Sequence, residues 1–405
     1  MRRESFSTGT TLPAIVIAVT QLHLLRNVAS AYYALWLFAV LLAALYVWSR
    51  WGVLRALDRR MVFRTVLLFN FPLIGACAGL IGGSYESIAG LIGGFSRCLF
   101  VLPMCLVVIV CPPSVFKRVG VVIVIFTAIA ALSIPYQFLS GPIEWFAESS
   151  ERAGFGRYAS LFGSLTALGT VNGLGLIAAV AMLNSAVAMC VALGVILLGS
   201  ILSLQKAAIL NIALALPVIF LLRKFSFKQG VVLLVLLSVF AFAASVYFGD
   251  ELLGYVSSIR FSSDSEYAGD VSVSESLVER VVDLPLTAIL FHGVHSLLLG
   301  VGPIGGSGAF GFADVPMAHN AVVDLLLVGG LAYLVYFGYF FYIAFKLAIV
   351  GLRSVSRNGA ILGLSMLIIL LINMPFSSLL FFTPSGAMFF AFALRSIIGS
   401  VDKGS

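Results

Sequence analysis

Apolar runs long enough to cross a bilayer recur from residue 12 to residue 398, separated by short knots of polar, basic or glycine-rich positions. A helix needs about 20 apolar residues to cross ~30 Å of hydrocarbon, because only then are its backbone groups satisfied internally over the whole span. Threading spans between the polar knots predicts helices at 11–28, 31–49, 65–82, 91–111, 119–139, 161–182, 185–202, 205–222, 230–249, 320–345, 360–378 and 380–398. The pattern is that of an all-α, polytopic membrane protein with about twelve transmembrane helices. It forms one membrane domain over residues 1–405. The first pair of spans is interrupted by Gln21, His23 and Arg26. No small-residue cleavage pattern follows the first apolar segment, which therefore reads as a retained span.

Composition fits this pattern. With 61% hydrophobic and 10% charged residues and a mean hydropathy of +1.11, the chain lacks the polar surface to cover a water-soluble globule. Its net charge of +7 does not point to nucleic acid. The basic side chains gather in short loops: Arg2 and Arg3; Arg50, Arg55, Arg59, Arg60 and Arg64; Lys117 and Arg118; Arg223, Lys224 and Lys228; Lys346, Arg353 and Arg357; Arg395 and Lys403. The positive-inside rule makes these loops cytoplasmic, with both termini on that side. Acidic residues Glu86, Glu144, Glu148, Glu151 and the set from Asp250 to Asp314 then fall outside. All five cysteines lie in apolar runs and read as buried small side chains, without disulfide or metal spacing.

Two outer segments exceed what a turn requires. The first, 140–160, carries Arg152 and Arg157 and leads into a span. The second, 250–318, is long enough to be a functional loop. Within it, Ser272 to Glu275 offers a capping box, and Leu277, Val278, Val281 and Val282 recur at helical spacing. This predicts an amphipathic helix over 273–284, ended near Pro285, on the membrane surface or against the bundle. Residues 284–299 are too interrupted to span and read as a candidate re-entrant piece. Residues 260–274 have the composition of a flexible linker.

Cations outside the cytoplasmic clusters are few: Arg26, Arg97, Arg152, Arg157, Lys206, Arg260 and Arg280. Lys206 lies between two apolar runs near the outer face, where an ammonium needs an anion or a route to water. Arg152 and Arg157 precede a helix start, whose free N–H groups favour anions. Together they describe an outward-facing anion site, against the plainer reading of snorkelling side chains or surface ion pairs. His319 stands at the first turn of an apolar span after a glycine-rich run, followed by Asn320 and, one turn in, Asp324. Imidazole can transfer protons near neutral pH, though a histidine there can equally be a polar group satisfied at the interface. His292, His295 and His319 lack a partner motif for metal. Gly305 to Gly308 matches the GxSG pattern of intramembrane serine proteases, a weak signal in a chain with 39 glycines.

The segment from 293 to 333 resembles the signature region of the bacterial O-antigen ligase and polymerase superfamily. His319-Asn320, a gap over 321–329, then Gly330, Leu331-Ala332 and Tyr333 follow its C-terminal motif. Leu298 to Gly302 resembles the LLGVG segment before that motif. Arg280 stands where an arginine opens the preceding amphipathic helix, and Arg157, Gly163 and Asn172 resemble an earlier arginine, glycine and asparagine pattern. The likeness covers a family-like catalytic region over 152–345. Departures are Gln205-Lys206 in place of Ser-Arg and Val171-Asn172 in place of Pro-Asn; an ammonium lacks the guanidinium fork for bidentate phosphate contact.

The resemblance implies glycosyl transfer from an undecaprenyl-diphosphate-linked glycan at the periplasmic face of the bacterial inner membrane, with inversion, without metal and without another cofactor. Segments 140–160 and 250–318 become the first and the large periplasmic loops. Arg157, Lys206, Arg280 and Arg152 are the expected diphosphate contacts and His319 the general base, with Asn320 or Asp324 orienting it or the acceptor. The expected partners are the lipid-linked donor, a glycan acceptor, membrane lipid, and a chain-length regulator and flippase of the same pathway. Polymerisation of repeat units is the leading expectation. The alternatives are ligation to lipid A-core and, outside enzymes, a lipid-linked-glycan flippase or transporter.

Overall fold

The structure is a computed structural model that describes residues 8–81, 99–145, 149–152, 155–203, 205–222, 282–293, 296–302, 320–377 and 380–401. Helices dominate: α1 (Thr8–Gln21), α2 (Tyr32–Trp51), α3 (Ala56–Asn70), α4 (Pro72–Ile81), α5 (Leu102–Val110), α6 (Pro113–Ser140), α7 (Ala167–Met182), α8 (Ala186–Leu202), α9 (Lys206–Leu222), α10 (Leu284–His292), α11 (Ser296–Leu299), α12 (Ala321–Leu352), α13 (Arg357–Asn373) and α14 (Pro384–Val401). A 3-10 turn, His23–Asn27, follows α1, and a two-stranded antiparallel ribbon pairs β1 (Ser150–Arg152) with β2 (Phe155–Arg157).

Among the described residues, five helices are long and apolar enough to cross a membrane: Tyr32–Trp51, Ala56–Ile81, Pro113–Ser140, Ala321–Leu352 and Pro384–Val401. Shorter apolar helices accompany them, so the chain is an all-α, membrane-embedded protein as far as it is described. Helices α7 and α14 form the interior, with nearly every side chain buried. Around α7 pack α6, α8, α9 and α13; around α14 pack α5, α12 and α13. An aromatic cluster of Phe337, Phe341, Phe381 and Phe390 joins α12 to α14, with ring centroids 4.6–5.9 Å apart. Helix α2 forms the rim, turning Leu37, Leu41, Leu45 and Trp48 outward, as a lipid-facing helix does.

The basic helix ends meet one another. Arg395 binds Asp58 at 3.1 Å, Arg118 donates to Thr10 at 3.3 Å, and Lys117 donates to Asn184 at 2.6 Å. Asp58 also takes a two-pronged contact from Arg55, at 2.8 and 3.0 Å, and accepts the Arg55 backbone N–H, which caps α3. This cap moves the helix start. The expected span at 65–82 begins nine positions earlier, at Ala56, and draws Arg59, Arg60 and Arg64 into the helix. Cys77 is also corrected: it is exposed on α4, whereas Cys105, Cys111 and Cys190 are buried as expected. The span expected at 230–249 and the linker at 260–274 lie outside the described residues.

Pro285 does not end a helix. It occupies the second position of α10, where a proline loses no intrahelical hydrogen bond and its φ is already helical. The expected amphipathic helix before it falls, apart from its last residues, outside the described residues. Beyond it, the interrupted piece 284–299 forms two short helices divided at Gly293, which has φ 81°.

Candidate functional site

The site begins with a break in α12. Gly330 lies at φ 72° and ψ −175°, a conformation open essentially to glycine, and divides the helix into a short arm from Ala321 and a long shaft to Leu352. A break deprives the carbonyls just before it of their helical partners. The segment after α11 supplies replacements: Val301 N–H donates to the Leu327 carbonyl at 2.6 Å and Gly302 N–H to the Val328 carbonyl at 3.1 Å. The approach leaves no room for a side chain at Gly330, where a Cβ would lie 2.2 Å from the Leu298 carbonyl oxygen. Thus Leu298–Gly302 and the Gly330 region, which carry much of the family resemblance, are joined through their backbones.

The arm is capped by Asn320, whose side-chain oxygen accepts the Val322 N–H at 3.0 Å and whose carbonyl accepts the Asp324 N–H at 2.9 Å. Asn320 is buried and Asp324 half-buried. As an N-cap, Asn320 fixes where the arm starts, and the arm's positive dipole end faces the residues before it. His319, immediately before the cap, lies outside the described residues, as do Arg280 and the Gly305 to Gly308 motif.

The second part of the site is the chain from β2 to α7. Arg157 is half-buried on β2. The ribbon register pairs Ser150 with Arg157 and Arg152 with Phe155, so positions 152 and 157 share one face. Four side chains, from α6, the 3-10 turn and the start of α9, hold the chain that follows. Gln137 of α6 donates to the Ala159 carbonyl at 2.8 Å, and Ser133 accepts the Leu161 N–H at 3.0 Å. Beside Gly163, His23 fills the space, its Nε2 only 2.6 Å from where a Cβ would stand. Gln205 donates to the Leu165 carbonyl, so Lys206, the first residue of α9, starts beside the end of the Arg157 segment.

Beneath these residues lies a set of buried amides: Asn172, which the sequence pattern includes, and Asn211 and Asn373, which it does not. Asn172 donates to Ser200 and to the Ala208 carbonyl, both at 3.0 Å. Asn211 and Asn373 exchange hydrogen bonds at 3.0 and 2.8 Å, and Asn211 donates also to the Gly169 carbonyl at 2.7 Å. These bonds tie the first turns of α7 and α9 to the end of α13, which packs in turn against α12. Their signal in the sequence was an amide set within or at the end of an apolar run, a position that asks for a polar partner.

Of the expected site residues, then, Asn320 and Asp324 share the capped arm, and Arg157 stands on a ribbon whose continuation is bonded to the start of α9. No protein-family model matches the chain, and no curated protein matches it.

Proposed function

We propose that the protein is a membrane glycosyl transferase that polymerises undecaprenyl-diphosphate-linked oligosaccharide repeat units, by inverting transfer without a metal at the periplasmic face of the bacterial inner membrane. The observation that carries this reading is the pair of backbone hydrogen bonds from Val301 and Gly302 to Leu327 and Val328. They join the two segments on which the resemblance rests, beside the capped arm that His319 precedes.

In this reading the acceptor sugar hydroxyl attacks the donor's anomeric carbon, the bond from that carbon to the diphosphate breaks, and the hydroxyl proton passes to the His319 imidazole. Arg157, Lys206, Arg280 and Arg152 hold the departing lipid diphosphate, where charge-assisted contacts count most because charge develops there. Asn320 and the arm's dipole position the base.

A transporter of lipid-linked glycan is the second reading, favoured by the break in α12, since discontinuous helices recur at transporter binding sites. One experiment separates the readings. Purified protein in proteoliposomes is given lipid-linked repeat units, with and without lipid A-core, in the presence of chelator. Lengthened lipid-linked glycan is the expected product. Transfer to lipid A-core alone makes the protein a ligase, and no covalent product with movement of donor across the bilayer makes it a transporter.

A further inference from the structure

Helices α3 and α4 run along α12 in the opposite direction. Arg64 meets Tyr336 and Tyr339, Phe71 stacks on Tyr333 and Tyr336 at 5.5 and 5.3 Å, and Gly75 abuts the Val328 carbonyl, so residue numbers fall along α12 as they rise along α3 and α4. Both sides of this seam are apolar enough to cross a membrane, yet α3 brings Arg60 and Arg64 to it and α12 brings Lys346. The Arg64 guanidinium lies over the Tyr339 ring, 5.9 Å from its centroid, and the Arg64 carbonyl accepts the Tyr336 hydroxyl at 3.0 Å. Arg60, Tyr339, Tyr342 and Lys346 are exposed and Arg64 is half-buried. The cations therefore stand at the open edge of the seam and not inside the bundle.

Helix geometry draws these charges together. Residues three and four apart share a face, so Arg60 lies one turn from Arg64 toward Ala56, and Lys346 lies two turns from Tyr339 on the face that also carries Tyr342. The antiparallel order sets Arg60 about level with Tyr342. Side chains on a helix lean toward its N-terminus. Arg60 and Arg64 thus lean toward Ala56, and Lys346 leans away from Leu352, back toward Tyr342, which closes the three cations on one gap. The ion pairs among the described residues are those of Asp58 with Arg55 and Arg395, so no carboxylate neutralises them. Snorkelling toward water accounts for the two arginines, whereas the lean of Lys346 is away from its own helix end, a placement that asks for an anion.

The rest of the seam identifies the anion's carrier. Above the cations, Leu67 on α3 and Val335 and Leu331 on α12 are exposed by 36%, 64% and 50%, an apolar strip continuous with the charged gap. A molecule with an anionic head and acyl chains matches both parts. We infer that the seam between α3 and α12 binds the phosphate of an anionic membrane phospholipid, held by Arg60, Arg64 and Lys346, with its chains along Leu67, Val335 and Leu331. This site is independent of the transfer reaction proposed above. The charge balance selects an anionic headgroup over a zwitterionic one, because a choline or ethanolamine group would return a positive charge to three cations.

The test is native mass spectrometry of the full-length protein titrated with phosphatidylglycerol or with phosphatidylcholine of the same chains. Phosphatidylglycerol adducts are expected to dominate. Arg64→Gln should weaken them about fivefold, as for one cation at a membrane surface, and Arg64→Gln with Lys346→Gln about 30-fold, with Arg357→Gln unchanged. Equal adducts from the two lipids, undiminished binding by the double variant, or an equal loss in Arg357→Gln overturns the site. Displacement of the lipid by excess inorganic phosphate moves the specificity to free phosphate and overturns the lipid assignment. If the variants elute as aggregate, the wild-type protein answers: phosphatidylglycerol with a diazirine in its chain should label residues 60–67 and 331–346 above the lipid-facing side of α2, and even labelling rejects the proposal.

Discussion

Asn211 and Asn373 exchange side-chain hydrogen bonds of 3.0 and 2.8 Å from helices α9 and α13, and both amide hydrogens of each are used, the second pair reaching the Gly169 and Ile369 carbonyls. Both residues are fully buried. Replacing Asn211 by leucine leaves Asn373 with an unmet donor and acceptor, a loss of about 1–3 kcal/mol. Thermal unfolding in detergent should show it, and the double Asn211→Leu, Asn373→Leu variant should recover part of it. A single variant that melts with the wild type would remove the pair from the stability of the bundle.

Asp58 is a harsher case. It is 4% exposed and Arg395 is 5% exposed, so Asp58→Asn strands a buried guanidinium. Breaking a buried pair from one side costs about 3–5 kcal/mol, whereas replacing both partners by apolar groups can be neutral. Asp58→Asn should therefore lower yield and melting temperature sharply, and Asp58→Leu with Arg395→Met should do better than the single change. The reverse order of stabilities contradicts the assignment.

Gly330→Ala tests the broken helix. The change forces a side chain into a conformation that costs about 1–3 kcal/mol and into the Leu298 carbonyl. The expected outcome is release of the docked segment, read as faster amide hydrogen exchange at Val301 and Gly302, together with loss of transfer in the reconstituted assay. Unchanged exchange at those two amides counts against the docking.

For His319 and Asn320 the predictions differ in kind. His319→Ala, lacking the proposed base, should lower turnover by about 10²–10⁴ while the protein remains in the membrane. Asn320→Ala loses a cap, typically about 1 kcal/mol, and should lower turnover less, with partial rescue by Asn320→Asp or Asn320→Ser. Glycan chains of wild-type length from cells carrying His319→Ala would falsify the general-base role.

Much of the bundle was legible because its helices are apolar runs bounded by charge, and the expected bounds of α2, α8 and α9 fall within two residues of those observed. The start of α3 was not, since hydropathy counts arginines against a span, whereas Asp58 caps the helix start by accepting the Arg55 backbone N–H and pairs with Arg55 and Arg395. Pro285 misled because a proline that ends one helix and a proline that opens the next read alike until the flanking backbone is known. The break at Gly330 hides inside an apolar run with no polar residue to mark it; only the pair Gly329-Gly330 hinted at it. Asn211 and Asn373 each offered one amide, and no spacing rule reveals a partner that the fold brings from another part of the chain. Asn320 was read at a helix start and is the cap, but its use of that position, accepting the Val322 N–H, became visible only in three dimensions.

The docking of Leu298–Gly302 on α12 has an architectural consequence. Because Gly302 and Val328 are held together by a backbone bond, the two ends of the chain that joins them are fixed one hydrogen bond apart. The entropy of closing such a loop grows only slowly with the length enclosed. Residues inserted before the Asn320 cap should therefore cost the bundle little, provided that the two clamped amides and the cap are kept.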